Sequence, residues 1–459
     1  MTGKRVLVVG LGKSGVASAL FLHEHGAKVS VSDAKSPDQL RQEIPVLLDA
    51  GISVETGQHG ERTFRDQDLI VISPGVPVDV PQLVHAGERG IPVIGEIELA
   101  AQFLKGKIVG ITGSNGKTTT TSLAGEIIAT GGRHTLVGGN IGTPAISFVG
   151  QTGDDTWIVL EISSFQLETI QTFHPRIAVV LNVTPDHLDR HYSFENYAAA
   201  KARILENQAA GDFAVLNADD ATCVAMAKKS KAPVYWFSRQ RAVEHGAFVR
   251  DNRIIWRDAD REETVMPAGE IGLKGAHNVE NVLAGVCVGL LAGIDPGDVR
   301  RAVASFKAVE HRLEYVATVG GVEYYNDSKA TNVDATIKAL ESFAGHVHLI
   351  LGGKDKGGDY SVLNDLLKAR VKRVYTIGAA AQKIESQLKG AEVLRCETLE
   401  AAMKRASEAA VAGDVVLLAP ACASFDQFDS YEHRGRVFKE LVRQLARERE
   451  SVGTRGGRQ

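Results

Sequence analysis

With 459 residues, 44% hydrophobic and 24% charged, the chain has the composition of an ordinary soluble globular protein of about three domains. Its formal net charge of −4 gives no support for a nucleic-acid or anionic-membrane partner, and no apolar run approaches the roughly 20 residues of a membrane span. Cys223, Cys287, Cys396 and Cys422 stand far apart without C-x-x-C spacing, which suggests neither a disulfide framework nor a zinc site. A strand begins almost at the first residue and leaves no room for a signal peptide, so the expected location is the cytoplasm. The stretch from Arg447 onward, rich in Arg, Glu and Gly, reads as a frayed tail.

The first segment reads strand, glycine-rich turn, helix, strand: Arg5 to Val9, Gly10 to Gly15, a helix to about His25, then Lys28 to Asp33. Gly10, Gly12 and Gly15 fall as G-x-G-x-x-G and Asp33 closes the second strand, which is the Rossmann fingerprint. That fingerprint reports a diphosphate on a helix N-terminus and no particular nucleotide, so a dinucleotide and a nucleotide-sugar diphosphate satisfy it equally. A further strand, Leu69 to Ile72, ends in Ser73-Pro-Gly-Val-Pro77, at the kind of strand end where open α/β sheets bind ligands.

The middle segment opens on Lys107-Ile-Val-Gly-Ile-Thr112, an apolar run that breaks into Gly113-Ser-Asn-Gly-Lys-Thr-Thr119 and resumes as a helix over Ser122 to Ala129. Strand, glycine turn and helix start form a cradle in which backbone N–H groups and the positive helix end converge on phosphate. Lys117 is placed to reach the β/γ-phosphates and the Thr118 hydroxyl to ligate Mg²⁺. The strict G-x-x-x-x-G-K-[ST] pattern is not met, because Ile111 stands at its first glycine; Gly113 supplies the extra one. Trp157 to Ser163 presents Glu161 near a strand tip, and Ile177 to Asn182 runs into Val183-Thr-Pro-Asp-His187. On a parallel sheet both ends share the loop's edge, which would let Glu161 join Thr118 on Mg²⁺ and His187 reach a second metal. The alanine-rich run Phe194 to Leu205 reads as a helix, on which composition makes Lys201 a solvated surface lysine.

The last segment is another α/β unit whose strands end in Asp327-Ser-Lys-Ala-Thr-Asn332, Gly352-Gly-Lys-Asp-Lys-Gly-Gly358 and Ala419-Pro-Ala-Cys-Ala-Ser-Phe-Asp426. Lys329, Lys354 and Lys356 make this edge cationic, suited to carboxylates and phosphates. The expected division is 1–95, 96–305 and 306–459.

Taken together, Thr-Gly-Ser-Asn-Gly-Lys-Thr-Thr, Asn-Val-Thr-Pro-Asp-His-Leu-Asp, His311-Arg312 and Asp-Ser-Lys-Ala-Thr-Asn resemble the Mur ligases, ATP-dependent amino-acid ligases of peptidoglycan synthesis related to folylpolyglutamate synthase. The resemblance covers nearly the whole chain in order. It implies an α/β protein with a Rossmann-like N-terminal domain, a central P-loop-type ATPase domain with a mostly parallel sheet, and a Rossmann-like C-terminal α/β domain. Gly-Leu-Gly-Lys-Ser-Gly, Ser-Pro-Gly-Val-Pro and the Ala419 to Phe428 run resemble the branch that adds D-glutamate to UDP-N-acetylmuramoyl-L-alanine through an acyl phosphate. On that resemblance Ser14, Asp33 and Ser73 meet the UDP part of the substrate, and Asn140 the muramoyl-alanine arm. Gly113, Ser114, Asn115, Gly116, Lys117, Thr118, Thr119, Asn278, Arg312 and Asp327 hold ATP, with Lys329 near the reacting phosphate. Thr118, Glu161, His187 and Lys201 belong to the metal region, with two Mg²⁺ ions and a carbamylated Lys201. Lys117, Lys201, His187 and Lys329 are the catalytic set, and Thr331, Lys356, Ser424 and Phe425 line up with the D-glutamate site. The chain departs from some members at Ala34-Lys35, where they carry Thr-Arg, and at Tyr431, where they carry Phe. No nucleic acid and no membrane span are implied, and a monomer is expected.

Overall fold

The structure, a computed structural model, describes residues 1–456 except 260, 274 and 308, with side chains described to residue 449. The chain packs as two units, one of Met1–Val183, Glu195–Gly269 and Val282–Val303, the other of Thr184–Phe194, Glu270–Asn281 and Ala304–Gln459. Among the described residues no helix is long and apolar enough to cross a membrane.

In the first unit, β1 (Arg5–Val9), β2 (Lys28–Asp33), β3 (Ser53–Thr56), β4 (Leu69–Ile72) and β5 (Val93–Gly95) form a parallel sheet in the order β3-β2-β1-β4-β5. The chain turns back to the other side of β1 after β3, so a crevice opens between the C-terminal ends of β1 and β4. β1 takes the centre because Val6 to Val9 are apolar on both faces, and all four are fully buried. The helix Lys13–Glu24 packs on β1 and β2, while Phe64, Leu83 and Ala86 cover Leu7, Val9, Ile70 and Ile72.

A short helix, Glu96–Ala101, joins this sheet to the next through two buried carboxylates. Glu98 accepts the amides of Gln171 (2.9 Å), Thr172 (2.9 Å) and Phe173 (2.8 Å) and the Thr172 hydroxyl. Burial pushes its pKa up, but those four bonds outweigh it and leave the carboxyl below its ordinary value. Glu96 is worse served: Oε1 accepts from Ile146 N at 2.7 Å, Oε2 has no partner, and burial lifts the group to about 7. Between its unfolded value of 4.5 and about 7 the folded chain keeps a proton that the unfolded chain loses, so stability falls as pH rises through this window. At roughly 1.4 kcal/mol per unit the loss is on the order of 3 kcal/mol by pH 8. Glu96→Gln removes the titration. Its urea midpoint relative to wild type is therefore expected to gain between pH 5 and pH 8, and a difference that does not change with pH would refute the assignment.

The central sheet adds β6 (Lys107–Thr112), β7 (Thr135–Gly139), β8 (Trp157–Glu161), β9 (Ile177–Val180), β10 (Phe213–Asn217), β11 (Val234–Ser238), β12 (Gly246–Arg250), β13 (Arg253–Asp258) and β14 (Arg261–Pro267). Their order is β14-β13-β12-β11-β10-β9-β6-β8-β7, parallel except for the antiparallel run β12-β13-β14. β6 lies between β8 and β9 and delivers the phosphate loop to the middle of the ligand edge.

In the second unit, β15 (Glu314–Val319), β16 (Val322–Asn326), β17 (Val347–Gly352), β18 (Val371–Ile377), β19 (Glu392–Glu397) and β20 (Val415–Leu418) take the order β15-β16-β20-β17-β18-β19, parallel except for the β15-β16 hairpin. The two-residue period of a strand sorts β17 and β20 between two cores. Leu349, Leu351 and Leu417 face one, and Ile350, Val416 and Leu418 the other. The final helix, Tyr431–Gly456, seats Phe438 and Val442 on the second core, each burial contributing about 1.5–3 kcal/mol. Its helical backbone continues past Arg447 as far as Gly456, where composition alone reads a frayed end, and the last three residues of that tail lie outside the described residues; the anchored first half supplies a formed helix to extend.

Candidate active site

At the first sheet's crevice the glycine spacing is a matter of clearance. Gly10 has φ +88°, and a Cβ on Gly15 would lie 1.9 Å from the Gly10 carbonyl oxygen. The Ser73 hydroxyl donates to that carbonyl at 2.7 Å, tying the end of β4 to the turn after β1. Both carboxylate oxygens of Asp33 are taken up by backbone: Oδ2 accepts from Leu11 N at 2.7 Å and Oδ1 from Lys35 N at 2.8 Å. Asp33 thus shapes the crevice wall. Ser14 lies half-buried in the first turn of the helix Lys13–Glu24, at the positive end of its dipole.

The phosphate loop is more tightly built. Gly113 (φ +151°) and Gly116 (φ +86°) take backbone that side chains rarely adopt, and Gly116 caps the helix Lys117–Thr130, which starts several residues before the segment read from sequence. Lys117 folds back so that Nζ donates to the Gly113 and Ser114 carbonyls, each at 2.9 Å. At the next residue, the Thr118 hydroxyl donates to Glu161 Oε2 at 2.7 Å, and Asn140 Nδ2 donates to Glu161 Oε1 at 2.9 Å. Glu161 is only 1% exposed, so these oxygens converge in a site shielded from bulk water. Lys201 corrects the expectation of a solvated lysine. It is 1% exposed, its Nζ donates to the Gly113 carbonyl at 2.8 Å, and it lies 4.6 Å from the Tyr197 ring. The cause is helical geometry: Tyr197 and Lys201, four apart, share one face of the helix Phe194–Ala202, and that face meets the loop. The Tyr197 hydroxyl in turn contacts Ser114 Oγ at 3.0 Å.

The second unit carries the remaining candidates. Asp327, 8% exposed at the end of β16, is lifted by burial to about 6, against the lowering effects of Arg312 and the Leu313 amide. Lys329 Nζ lies 3.7 Å over the Tyr431 ring. The segment Thr184–Phe194 belongs to this unit. In it, Asp186 accepts Lys356 Nζ at 3.1 Å and Asn332 Nδ2 at 2.9 Å, beside His187, whose φ is +54°. Burial alone would raise Asp186, but Lys356, His187 and the Asn332 bond hold it down at about 2. Asn332 also caps the helix Val333–Glu341, and Thr331 N donates to Lys329 O at 2.8 Å. Ser424 is buried, whereas its neighbour Phe425 is 69% exposed. Asn278 is buried and accepts from Asn281 Nδ2 at 3.0 Å.

Sequence reasoning missed Asp186, Asn332 and Arg434. Arg434 is fully buried, and its guanidinium donates to Ser328 Oγ (3.0 Å), Ser328 O (2.8 Å) and Cys422 O (3.2 Å), pinning the loop after β16 to the loop after β20. Burial lowers it to about 10, which leaves it cationic at neutral pH.

Three family models match in chain order: a Mur ligase MurD-like N-terminal domain over residues 4–95, a Mur ligase middle domain over 111–289, and a Mur ligase glutamate ligase domain over 311–422. The chain is 71% identical to the UDP-N-acetylmuramoylalanine–D-glutamate ligase of Koribacter versatilis, covering 97% of this chain and 98% of that one. It is 59% identical to the ligase of the same name from Acidobacterium capsulatum, covering 96% of each. Among solved structures, a pseudomurein peptide ligase type C from Methanothermus fervidus matches with a TM-score of 0.62 at 18% identity, over 96% of this chain and 100% of that one. The UDP-N-acetylmuramate-alanine ligase MurC from Thermotoga maritima matches with 0.61 at 19%, over 96% and 99%. The two structural matches speak to the fold, and the sequence matches run through all three segments. On that evidence the chain belongs to the Mur ligase family.

Proposed function

We propose that this chain is an ATP-dependent ligase that joins D-glutamate to UDP-N-acetylmuramoyl-L-alanine in peptidoglycan synthesis. The observation that carries the reading is 71% identity, over nearly the full length of both chains, to a ligase of that name. In this reading residues 1–95 hold the UDP part, 96–305 ATP and 306–459 the amino acid, in a cytoplasmic monomer.

The alanyl carboxylate of the nucleotide sugar attacks the γ-phosphorus of ATP; ADP leaves and an acyl phosphate remains. The amine of D-glutamate then attacks the acyl carbon, inorganic phosphate leaves, and the amine proton passes to solvent or a nearby base. Lys117 neutralises charge spreading over the transferring oxygens. The hard oxygens of Thr118 and Glu161, 2.7 Å apart, suit Mg²⁺, with His187 and a carbamylated Lys201 assigned to a second ion. Bound Mg²⁺ would supply charge neutralisation on the phosphates. Lys329 serves the reacting phosphate, and Arg312, Asp327 and Asn278 the rest of ATP. Lys356, Thr331, Ser424 and Phe425 orient D-glutamate, and Ser14, Asp33, Ser73 and Asn140 the nucleotide sugar.

Phosphate release from ATP, assayed with UDP-N-acetylmuramoyl-L-alanine and each of D-glutamate, L-glutamate, L-lysine and D-alanyl-D-alanine, tests the proposal. Release is expected only with the nucleotide sugar and D-glutamate together. Release with another acceptor would move the chain to a sibling activity, and no release with any pair would overturn the enzyme reading.

A further inference from the structure

Asn182 lies just past β9, 9% exposed, and turns both ends of its side-chain amide to one residue of the phosphate loop. Oδ1 accepts from Asn115 N at 2.8 Å, and Nδ2 donates to Asn115 O at 3.1 Å. The reciprocal pair fixes which end of the amide points where, since a backbone N–H must face oxygen and a carbonyl must face NH₂. The Asn182 carbonyl also accepts from Ser114 N at 2.9 Å, one step beyond the Leu181 N–H that donates to Thr112 O at 3.0 Å. The pairing of β6 with β9 therefore continues into the loop, first through backbone and then through a side chain that mimics backbone.

This has a consequence for anion binding. Two successive loop amides, Ser114 and Asn115, point at Asn182. A cradle for polyphosphate at this loop is then built from Gly116 and the first turn of the helix Lys117–Thr130, where the helix dipole adds to the donors. No other side chain of similar size fits both demands. Asp would set a second carboxylate oxygen against the Asn115 carbonyl beside a site meant for phosphate. Leu would leave a buried donor and acceptor unpaired.

We infer that Asn182 is a positioning residue for nucleotide binding, which selects the amides that face the polyphosphate. The inference rests on reading the loop as the ATP site, and its test separates the two. ADP and adenosine affinities are measured by calorimetry on the full chain and on Asn182→Ala and Asn182→Asp, with thermal midpoints and with kcat and KM for each substrate. The expected result for Asn182→Ala is about a tenfold loss of ADP affinity, the loss of one to two hydrogen bonds' worth of order, with adenosine affinity within about twofold of wild type. The isosteric Asn182→Asp, which keeps the side-chain volume if the alanine variant does not fold, is expected to lose more. Lower kcat with an unchanged KM for D-glutamate should accompany both. ADP affinity and kcat within about twofold of wild type in a folded variant would overturn the inference, as would equal losses for ADP and adenosine. Wild-type protein that binds no ADP would overturn the ATP reading itself and this inference with it.

Discussion

Lys117→Ala is expected to lower ATP-dependent turnover by at least about 10³-fold while leaving the fold and the affinity for the nucleotide sugar intact. The size follows from what the ammonium does in the reaction. Negative charge spreads over the phosphoryl oxygens as the bond to ADP breaks, and a positive charge fixed beside them stabilises it without the reorganisation that solvent would need. The structure adds a reason to expect the ammonium in place beforehand. Its two 2.9 Å bonds to the Gly113 and Ser114 carbonyls hold Lys117 over the loop, so little side-chain entropy remains to be lost when phosphate arrives. Lys117→Arg keeps the charge without the compact point geometry and should fall between the two. Phosphate release and a thermal midpoint, measured side by side, decide the matter. A folded alanine variant with near-normal turnover would refute the assignment of the loop.

How much of this was legible in the sequence depends on where each partner lies along the chain. β1, β4, β6, β9 and β20 are buried on both faces, so they read as unbroken apolar runs. β3 (Ser-Val-Glu-Thr), β14 (Arg-Glu-Glu-Thr-Val-Met-Pro) and β19 (Glu-Val-Leu-Arg-Cys-Glu) lie at sheet edges with partly exposed, charged side chains, and no apolar period marks them. The phosphate loop was legible because its glycines, lysine and threonine are contiguous. Asn182, Asp186 and Arg434 were not, because each acts on a distant segment: Asn115 is 67 residues from Asn182, and Ser328 is 106 from Arg434. Nothing local distinguishes a buried arginine that grips carbonyls from a solvated one. The position of Glu161 beside Thr118 was legible for the opposite reason, since the end of a buried strand is a place the sheet itself positions.

Lys201→Arg is expected to lose at least about 10²-fold in turnover, although it preserves the positive charge. If Lys201 served only as a cation on the Gly113 carbonyl, an arginine in the same place would donate to the same oxygen and activity would largely survive. The proposed role requires something arginine cannot do. A neutral lysine amine attacks CO₂, one N–H proton is released, and the product is a carbamate anion whose oxygens suit Mg²⁺. The surroundings give that chemistry its setting: Lys201 is 1% exposed against Tyr197 and the phosphate loop, so a carbamate there is shielded from the solvent protons that drive release of CO₂. Two measurements separate loss of carbamate from loss of space. With ¹³C-labelled bicarbonate, wild type should show a carbamate carbon resonance that Lys201→Arg lacks, and the thermal midpoint of the variant should report any misfit of the larger side chain. A Lys201→Arg enzyme with full activity would reduce Lys201 to a packing residue of the helix Phe194–Ala202. A variant that is stable, inactive and without the resonance would tie the lost turnover to the missing carbamate.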